Sequence, residues 1–247
     1  MAEARVDFIK KYYTDIQLHK DYLEIYSVRK AIFESLKSNL PKFKGLVLDV
    51  GCGIMPYREF ILQNKEVSKY VGLDFESSLH REYAMAQPDL FWDGNTIDLA
   101  DNSVDTVLAT ELLEHCPDAG KVIAEMYRVL KPGGMLFLTV PFIWNLHLVP
   151  HDEYRYTSFS LKRLLCSNGF TDVNLKALGG WDASLAQMLG IWYKYRPSRL
   201  KRRFSFLFIR AIKILLRKDA FFNKENIYSE GIMVTGFSGT AIKNPAF

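Results

Sequence analysis

The sequence predicts an α/β fold in which helices cover both faces of a largely parallel sheet. Short apolar runs that read as strands alternate with stretches of helical periodicity along most of the 247 residues, a pattern typical of such sheets. The clearest run, Val47–Val50, leads into Gly51-Cys52-Gly53. Glycine permits a sharp turn and a close backbone approach at the strand end where α/β sheets bind ligands.

The elements can be predicted in order along the chain. Residues 3–40 read as helical because apolar residues recur at helical spacing, and Pro41 ends that pattern. Strands are expected near 46–50, 70–74, 89–92, 104–110, 134–140, 171–178 and 232–242. Helices are expected near 57–64, 77–85 and 118–130, and a shorter one capped by Ser158 should end at 168–169.

Charge is unevenly distributed, although the net charge is only +4. Residues 181–218 carry ten basic residues and one acidic residue, whereas the rest of the chain is acidic. On a helix, four of these basic residues would share one side, and most of the remaining surface would be apolar. Such a helix could rest on anionic lipid, or it could be a lid or dimer helix buried against protein. Nucleic acid is disfavoured, since the rest of the chain is acidic.

The cysteines and the N-terminal residues give an expectation for the cellular compartment of the protein. Cys52, Cys116 and Cys166 are scattered without metal-type spacing, which favours a reducing environment. The N-terminus is polar and charged, which does not resemble a secretory signal, and no uncharged apolar run reaches the length of a spanning helix. We therefore expect a cytoplasmic protein, with peripheral contact at the inner face of the membrane through residues 199–218 as an open alternative.

Two cofactors compete for the turn at Gly51. A dinucleotide favours the pattern G-x-G-x-x-G, whose third glycine is replaced here by Pro56. Asp49 would repel a phosphate but would attract a cation. S-adenosylmethionine has no phosphate and carries an ammonium and a sulfonium group, so the residues favour it.

At this point the chain resembles the class I S-adenosylmethionine-dependent methyltransferases, in particular the type 11-like members. The resemblance covers about residues 46–170 and rests on motifs in a matching order. These motifs are D-x-G-x-G at 49–53, the acid-ended run 70–74, Asp93-Gly94, an E-x-L-E-H-like segment at 111–115, and Pro-Gly-Gly at 132–134. The resemblance implies a Rossmann-like, seven-stranded mixed sheet of order 3-2-1-4-5-7-6. It implies one domain, with an N-terminal helical cover (1–45), a cofactor-binding core (46–180), a basic helical insertion between strands 6 and 7 (181–229) and a final strand (230–247).

The resemblance also implies the cofactor contacts. Asp49, Gly51 and Gly53 would hold the methionine end, Asp74 the ribose hydroxyls and Asp93 the adenine. The complete expected set is Asp49, Gly51, Cys52, Gly53, Asp74, Phe75, Asp93, Gly94 and Thr110. Alternatives stay open, because Asp49 and Asp74 could cap helices, Glu76 could replace Asp74 at the ribose, and Cys52 could be a small filler.

The acceptor is expected beyond the ends of strands four and five. The loop 141–157 resembles a bacterial methyltransferase subgroup with an H-x-x-x-P-x-D-x-x-R-Y-T-like segment. Many members of that subgroup belong to pathways that decorate sugars and cell-surface glycans. A hydroxyl acceptor must lose its proton, and histidine is the natural base near neutral pH. His151 is the favoured base, then His147, then His115, although a loop histidine could simply bind backbone. Glu111 should lie close to the transferred methyl group, or it could cap a helix.

Metal binding is not expected from this loop. His147 and His151 are four residues apart, but Pro150 disfavours a helix through them and no third ligand is evident. Arg155 is expected to tether a carboxylate. Asp152 is not expected to orient its neighbour His151.

Together these observations predict an enzyme that transfers methyl groups from S-adenosylmethionine to a small-molecule or glycan-type acceptor at oxygen. The N-P-P-Y-type motif of enzymes that methylate amide and adenine nitrogens is absent after strand four. Two alternatives stay open: N- or C-methylation of another small metabolite, and a non-catalytic cofactor-binding protein that docks a membrane or partner through the basic helix. The oligomeric state is left open.

Overall fold

The computed structural model describes residues 2–75, 87–196, 198–199, 203–219 and 227–245. Its centre is a seven-stranded sheet of order β3-β2-β1-β4-β5-β7-β6, which confirms the predicted order. The strands are β1 (Gly45–Val50), β2 (Val67–Phe75), β3 (Leu90–Trp92), β4 (Val104–Thr110), β5 (Leu130–Pro141), β6 (Phe170–Ala177) and β7 (Gly236–Lys243). The helices are α1 (Ala2–Ile9), α2 (Leu23–Asn39), α3 (Arg58–Ile61), α4 (Ala119–Val129), α5 (Ser158–Ser167), α6 (Trp181–Tyr195) and α7 (Ser205–Asp219).

The first five strands pair in parallel, and β7 is antiparallel to both β5 and β6. Side chains of β5 alternate between two cores, as a buried strand requires. Leu136 and Leu138 face the core that α4 and α5 cover, whereas Met135 and Phe137 face the core that α2 covers. The parallel strands therefore end at one edge of the sheet, where the glycine turn lies.

The N-terminal helices and the insertion form one helical layer. α6 packs against both α2 and α7, with Leu23, Ala186 and Ile212 at the centre of a third apolar cluster. A Cβ on Gly190 would lie 2.6 Å from the carbonyl oxygen of Leu23, so α6 can approach α2 this closely only with glycine there. The two segments that flank the resembling region are thus packed together.

Several boundaries differ from the predictions. The N-terminal region is two helices rather than one: α1 continues as a π-type turn to Thr14, and residues 15–22 are non-helical with Ile16 and Tyr22 buried. Thr157, not Ser158, caps α5, because its side chain accepts from the backbone N–H of Ser160. β7 begins at 236 rather than 232, and α3 is shorter than predicted. The predicted helix 77–85 lies outside the described residues.

The Pro-Gly-Gly turn lies within β5 as an irregularity. Leu130 pairs with Val104 and Met135 with Thr106, so the residues between them leave the ladder. Gly133 has φ +73°, which glycine adopts without strain. Within the described part of the chain, no helix is both long and apolar enough to cross a bilayer.

Candidate active site

The glycine turn follows β1 at the C-terminal edge of the sheet. Gly51 has φ +73° and Gly53 has φ +50°, both in the left-handed region. A Cβ on Gly51 would lie 2.7 Å from Cδ1 of Leu112, whereas a Cβ on Gly53 would meet no atom of the described residues within 4 Å. Gly51 is therefore required by conformation and packing together, and Gly53 borders open space that a ligand can approach.

Asp49 is a buried carboxylate with one unused oxygen. The residue is 1% exposed. Tyr70 Oη donates a hydrogen bond to Oδ2 of the carboxylate, and Oδ1 has no hydrogen-bond partner among the described residues. Burial raises the pKa of Asp49 to about 7, although the Tyr70 hydrogen bond opposes this shift. A bound ammonium group would supply both the missing donor and a compensating charge, so this site fits the methionine end of S-adenosylmethionine.

Asp74 connects the end of β2 to the glycine turn. The Gly53 N–H donates to its Oδ2 over 2.6 Å, and the Phe75 N–H donates to its Oδ1 over 2.7 Å. The structure thus brings Asp49, Gly53 and Asp74 together at one edge of the sheet, as the motifs predicted. The role of Asp74 at the ribose stays a prediction, and Glu76, the alternative, lies outside the described residues.

Asp93 and Gly94 follow β3. Asp93 Oδ1 accepts from the backbone N–H groups of Asn95 and Thr96 over 2.8 and 3.2 Å. The hydrogen bonds from the Asn95 side chain and from these N–H groups lower the pKa of Asp93 to about 2. Gly94 has φ +83°, and a Cβ there would lie 2.8 Å from the Phe75 ring. Phe75 and Gly94 are therefore neighbours, and an aromatic face lies beside the proposed adenine acid.

The remaining expected cofactor residues are Cys52 and Thr110. Cys52 is buried, and burial raises the pKa of its thiol, with the charge of Asp49 adding to the effect. The thiol therefore stays protonated at neutral pH. Thr110 is the last residue of β4 and pairs with Thr139 of β5, and Glu111 follows it directly.

Glu111 lies at the end of β4 in a conformation that non-glycine residues rarely adopt, with φ +51°. Its N–H donates to the Thr139 carbonyl over 3.0 Å, and Thr139 Oγ1 donates to its Oε1 over 2.9 Å. Burial raises the pKa of Glu111, while the Thr139 hydrogen bond and the charges of Arg29 and Arg155 oppose this. Arg29 belongs to α2, and its charge acts on Glu111, so α2 contributes to the site. Its guanidinium carbon lies 4.2 Å from the Tyr13 ring centroid.

The loop after β5 is organised around Asp152, whose side chain is 1% exposed. Arg155 donates to both carboxylate oxygens, over 2.7 and 2.9 Å, which confirms that it tethers a carboxylate. The backbone N–H and ring Nδ1 of His147 lie 3.1 and 3.2 Å from Oδ2 of the same carboxylate. Asp152 therefore orients His147, and Arg155 holds Asp152 in place.

Three possible metal ligands meet beside this loop. One donor atom each of Glu114, His115 and His147 lie within 4.8 Å of one another. Both carboxylate oxygens of Glu114 are buried without a hydrogen-bond partner among the described residues, and burial, together with the charge of Glu111, raises its pKa well above the usual value. The sequence considered only His147 with His151 and found no third ligand for that pair. In the structure His147 instead lies beside Glu114 and His115, and His151 is not part of this described group.

His151 is exposed, and its backbone carbonyl lies 2.6 Å from Nδ1 of His115. Its expected role as the base stays a prediction.

Sequence reasoning missed Arg29 and gave Glu114 no role. A charged residue on the apolar face that Val28 and Ile32 define on α2 was a usable signal for Arg29. Nothing along the chain revealed that Glu114 would be buried beside His147.

Comparison with known proteins matches residues 48–138 to the family model of a methyltransferase domain. The ubiquinone/menaquinone biosynthesis C-methyltransferase of Desulfotalea psychrophila is 34% identical over 95 residues, which is 36% of this chain and 39% of that relative. The malonyl-[acyl-carrier protein] O-methyltransferase of Yersinia pestis is 32% identical over 98 residues, which is 38% of this chain and 36% of that relative. The chain thus spans less than half the length of these curated relatives.

Among solved structures, an S-adenosylmethionine-dependent methyltransferase from Archaeoglobus fulgidus is similar with a TM-score of 0.54. The similarity covers 87% of this chain and 94% of that one at 16% identity. At this identity the likeness shows the fold, and it extends beyond the segment that the family model matches.

Proposed function

We propose that this chain, whose core is a class I S-adenosylmethionine-dependent methyltransferase domain, transfers a methyl group to an oxygen atom of a small-molecule or glycan-type acceptor. One observation carries the proposal: Asp49 presents a buried, unused carboxylate oxygen beside the glycine turn. Carboxyl and imidazole groups that can handle an acceptor's proton follow the neighbouring strands β4 and β5.

The chain's own residues would hold the cofactor at three points. Asp49 Oδ1 would accept a hydrogen bond from its ammonium group, and the bare backbone at Gly53 would allow the methionine end to come close. Asp74 would bind the ribose hydroxyls, with Asp93 and Phe75 at the adenine. When bound, S-adenosylmethionine supplies a methyl group on a sulfonium, which is already a good leaving group.

Glu111 is the base that we propose for the acceptor hydroxyl. It directly follows β4, its carboxylate is held by Thr139, and its raised pKa makes it a better proton acceptor near neutral pH than an exposed carboxylate. The acceptor oxygen would bond to the methyl carbon while the carbon–sulfur electrons return to sulfur and the hydroxyl proton passes to Glu111. The protein's contribution is alignment of the two reactants and exclusion of water.

The names of the relatives include both a C- and an O-methyltransferase, so they do not select the acceptor atom. Oxygen is favoured by the acid and imidazole groups that face the acceptor side, because a hydroxyl must lose a proton to react. Transfer to nitrogen or carbon of a small metabolite is the second candidate.

We also propose that α6 and α7 rest on an anionic membrane surface, as one interpretation of the sequence suggested. Ile212 is buried against α2 and α6, but a row of large apolar side chains remains exposed. On α6 and α7 these are Trp181, Leu185, Met188, Trp192, Tyr195, Phe206, Leu207 and Ile214. The exposed basic residues Arg210, Lys213 and Arg217 accompany them on α7, and exposed Arg203 lies just before that helix. Apolar side chains flanked by basic ones are typical of interfacial helices.

The proposed function is tested by two measurements on the purified chain. Calorimetry should detect binding of S-adenosylmethionine and of its demethylated product, and Asp49→Asn should weaken this binding at least tenfold, whereas Asp98→Asn, at an exposed aspartate, should not. Labelled methyl groups should then enter a pool of hydroxylated metabolites or glycans. Binding of NAD in place of S-adenosylmethionine would refute the cofactor assignment, and cofactor binding without methyl transfer to any acceptor would favour the non-catalytic alternative.

A further inference from the structure

Glu114 is a buried group that the proposed transfer does not use. The residue is 0% exposed, and neither carboxylate oxygen has a hydrogen-bond partner among the described residues. Burial of a carboxyl group without a partner is costly, and proteins usually compensate it with a donor, a counter-charge or a metal ion. The imidazoles of His115 and His147 each place a ring nitrogen within 4.8 Å of a Glu114 carboxylate oxygen.

The two imidazoles are already arranged as ligands. Nδ1 of His115 lies 2.6 Å from the His151 carbonyl, which can only accept, so the proton is on Nδ1. Nδ1 of His147 lies 3.2 Å from the Asp152 carboxylate, which places its proton on Nδ1 for the same reason. Each ring therefore keeps Nε2 as a lone-pair donor. Nε2 of His115 is 3.7 Å from Oε1 of Glu114, too far for a hydrogen bond but suitable for two ligands of one ion.

The surroundings support this arrangement. Metal-binding histidines usually donate their other ring N–H to a carboxylate or a backbone carbonyl, which fixes the ring and its tautomer. Both kinds of support occur here, and the Asp152 carboxylate is itself held by two hydrogen bonds from Arg155. The rings of His115 and His147 lie 4.6 Å apart, centroid to centroid.

We propose that Glu114, His115 and His147 bind one divalent transition-metal ion, for which Zn²⁺ is the probe. Two imidazoles and one carboxylate suit zinc and leave a coordination position open for another ligand. Bonds of about 2.0–2.1 Å place tetrahedral ligand atoms about 3.4 Å apart. The donor atoms, now within 4.8 Å of one another, need to approach by about 1.4 Å at most. The ion's charge would also compensate the buried Glu114 carboxylate.

The open position gives the ion a role in the proposed function. Glu111, Glu114 and His115 lie within five residues of one another directly after β4, at the strand end where the acceptor is expected, so the ion would lie on the acceptor side of the site. A hydroxyl oxygen of the acceptor is the ligand that fits this position, because Zn²⁺ binds oxygen and lowers the pKa of the bound hydroxyl. This role rests on the proposed function, whereas binding of the ion does not.

The test is a zinc titration of the 247-residue chain without cofactor or acceptor, after removal of metal by a chelator and in competition with a chromophoric chelator. We expect one equivalent of Zn²⁺ to bind, and His115→Ala, His147→Ala and Glu114→Gln each to abolish this stoichiometric binding. Asp152→Asn removes none of the three ligands but changes the carboxylate that holds His147 and pairs with Arg155, and it should weaken zinc binding by about 10- to 100-fold. His151→Ala is the matched control and should bind zinc within about twofold of the unaltered chain.

Binding of S-adenosylmethionine, which needs the glycine turn and not this group, reports that each variant is folded. The metal site would be refuted if the unaltered chain took up no stoichiometric zinc, or if the His115 and His147 variants bound zinc as the His151 variant does. Stoichiometric zinc binding in a chain that transfers no methyl group would support the site and overturn its catalytic role.

Discussion

The raised pKa of Asp49 predicts that ionisation of this carboxyl group lowers the stability of the folded chain and raises its affinity for the cofactor. The carboxyl has a pKa of about 7 in the folded chain, against about 3.9 in an unfolded one. A folded pKa above the unfolded one means that the folded chain binds the extra proton. The contribution of Asp49 to stability is therefore greatest at low pH and falls as pH rises from about 4 to about 7.

The size of the effect follows from the shift. About three pKa units at about 1.36 kcal/mol each give an order-of-magnitude cost of about 4 kcal/mol for keeping Asp49 ionised and buried above pH 7. Asp49→Asn keeps the shape and an acceptor for Tyr70 but never ionises. We expect the variant to exceed the unaltered chain in free energy of unfolding by up to about 4 kcal/mol at pH 8, and this difference should shrink towards pH 5.

Urea unfolding of both proteins without ligand, between pH 5 and 8, measures this difference. Asp98→Asn should follow the unaltered chain at every pH. Cofactor affinity should change in the opposite sense, because only the ionised carboxylate pairs with an ammonium. With a pKa of about 7, about 91% of Asp49 is ionised at pH 8 and about 9% at pH 6, so affinity should fall about tenfold from pH 8 to pH 6. A stability difference that does not vary with pH, or an Asn variant that binds the cofactor as well as the unaltered chain, would refute the reasoning.

Three further predictions concern the base, the turn and the surface helix. Glu111→Gln should lower kcat by about 10²- to 10⁴-fold with the calorimetric Kd for the cofactor nearly unchanged, and a kcat within a fewfold of normal would exclude Glu111 as the base. Gly51→Ala should reduce the free energy of unfolding by about 1–3 kcal/mol more than Gly133→Ala. Both glycines have φ +73°, but of the two only Gly51 faces a described neighbouring side chain. Equal losses in urea unfolding would show that packing at Gly51 is unimportant. The double change Arg210→Glu and Lys213→Glu should abolish flotation with anionic vesicles, and unchanged flotation, or binding of the unaltered chain to neutral vesicles alone, would contradict the membrane proposal.

The parts that the sequence predicted well are local. A strand end, its acid and its glycines lie within seven residues, so Asp49 and the turn could be recognised together. The strand order followed from the resemblance, because the motifs occur in the family's order. The interruption between α1 and α2 was missed, since the apolar spacing continues through residues that turn out to be non-helical.

The acceptor side could not be predicted to the same depth. Glu114 and His147 are separated by α4 and β5, and no pattern along the chain reports that their side chains meet. Spacing suggested His147 with His151, but the loop directs His151 towards solvent and brings His115 from the end of β4 instead. Arg29 reaches the same region from a helix whose periodicity showed only that one face is buried.

The contact between α2 and α6 has a consequence for anyone who recombines this scaffold. Ser27 Oγ donates to Oε1 of Gln187, Nε2 of Gln187 donates to the Glu24 carbonyl over 2.6 Å, and Gly190 passes next to Leu23. A chimera that exchanges the first forty residues but retains the native 181–195 segment would lose the Ser27 partner of the buried Gln187 amide. A chimera that exchanges 181–195 for a segment without glycine at position 190 would bring a Cβ against the Leu23 carbonyl. The two segments therefore have to be exchanged as a pair, so a change in α2 has to be matched by a change in α6.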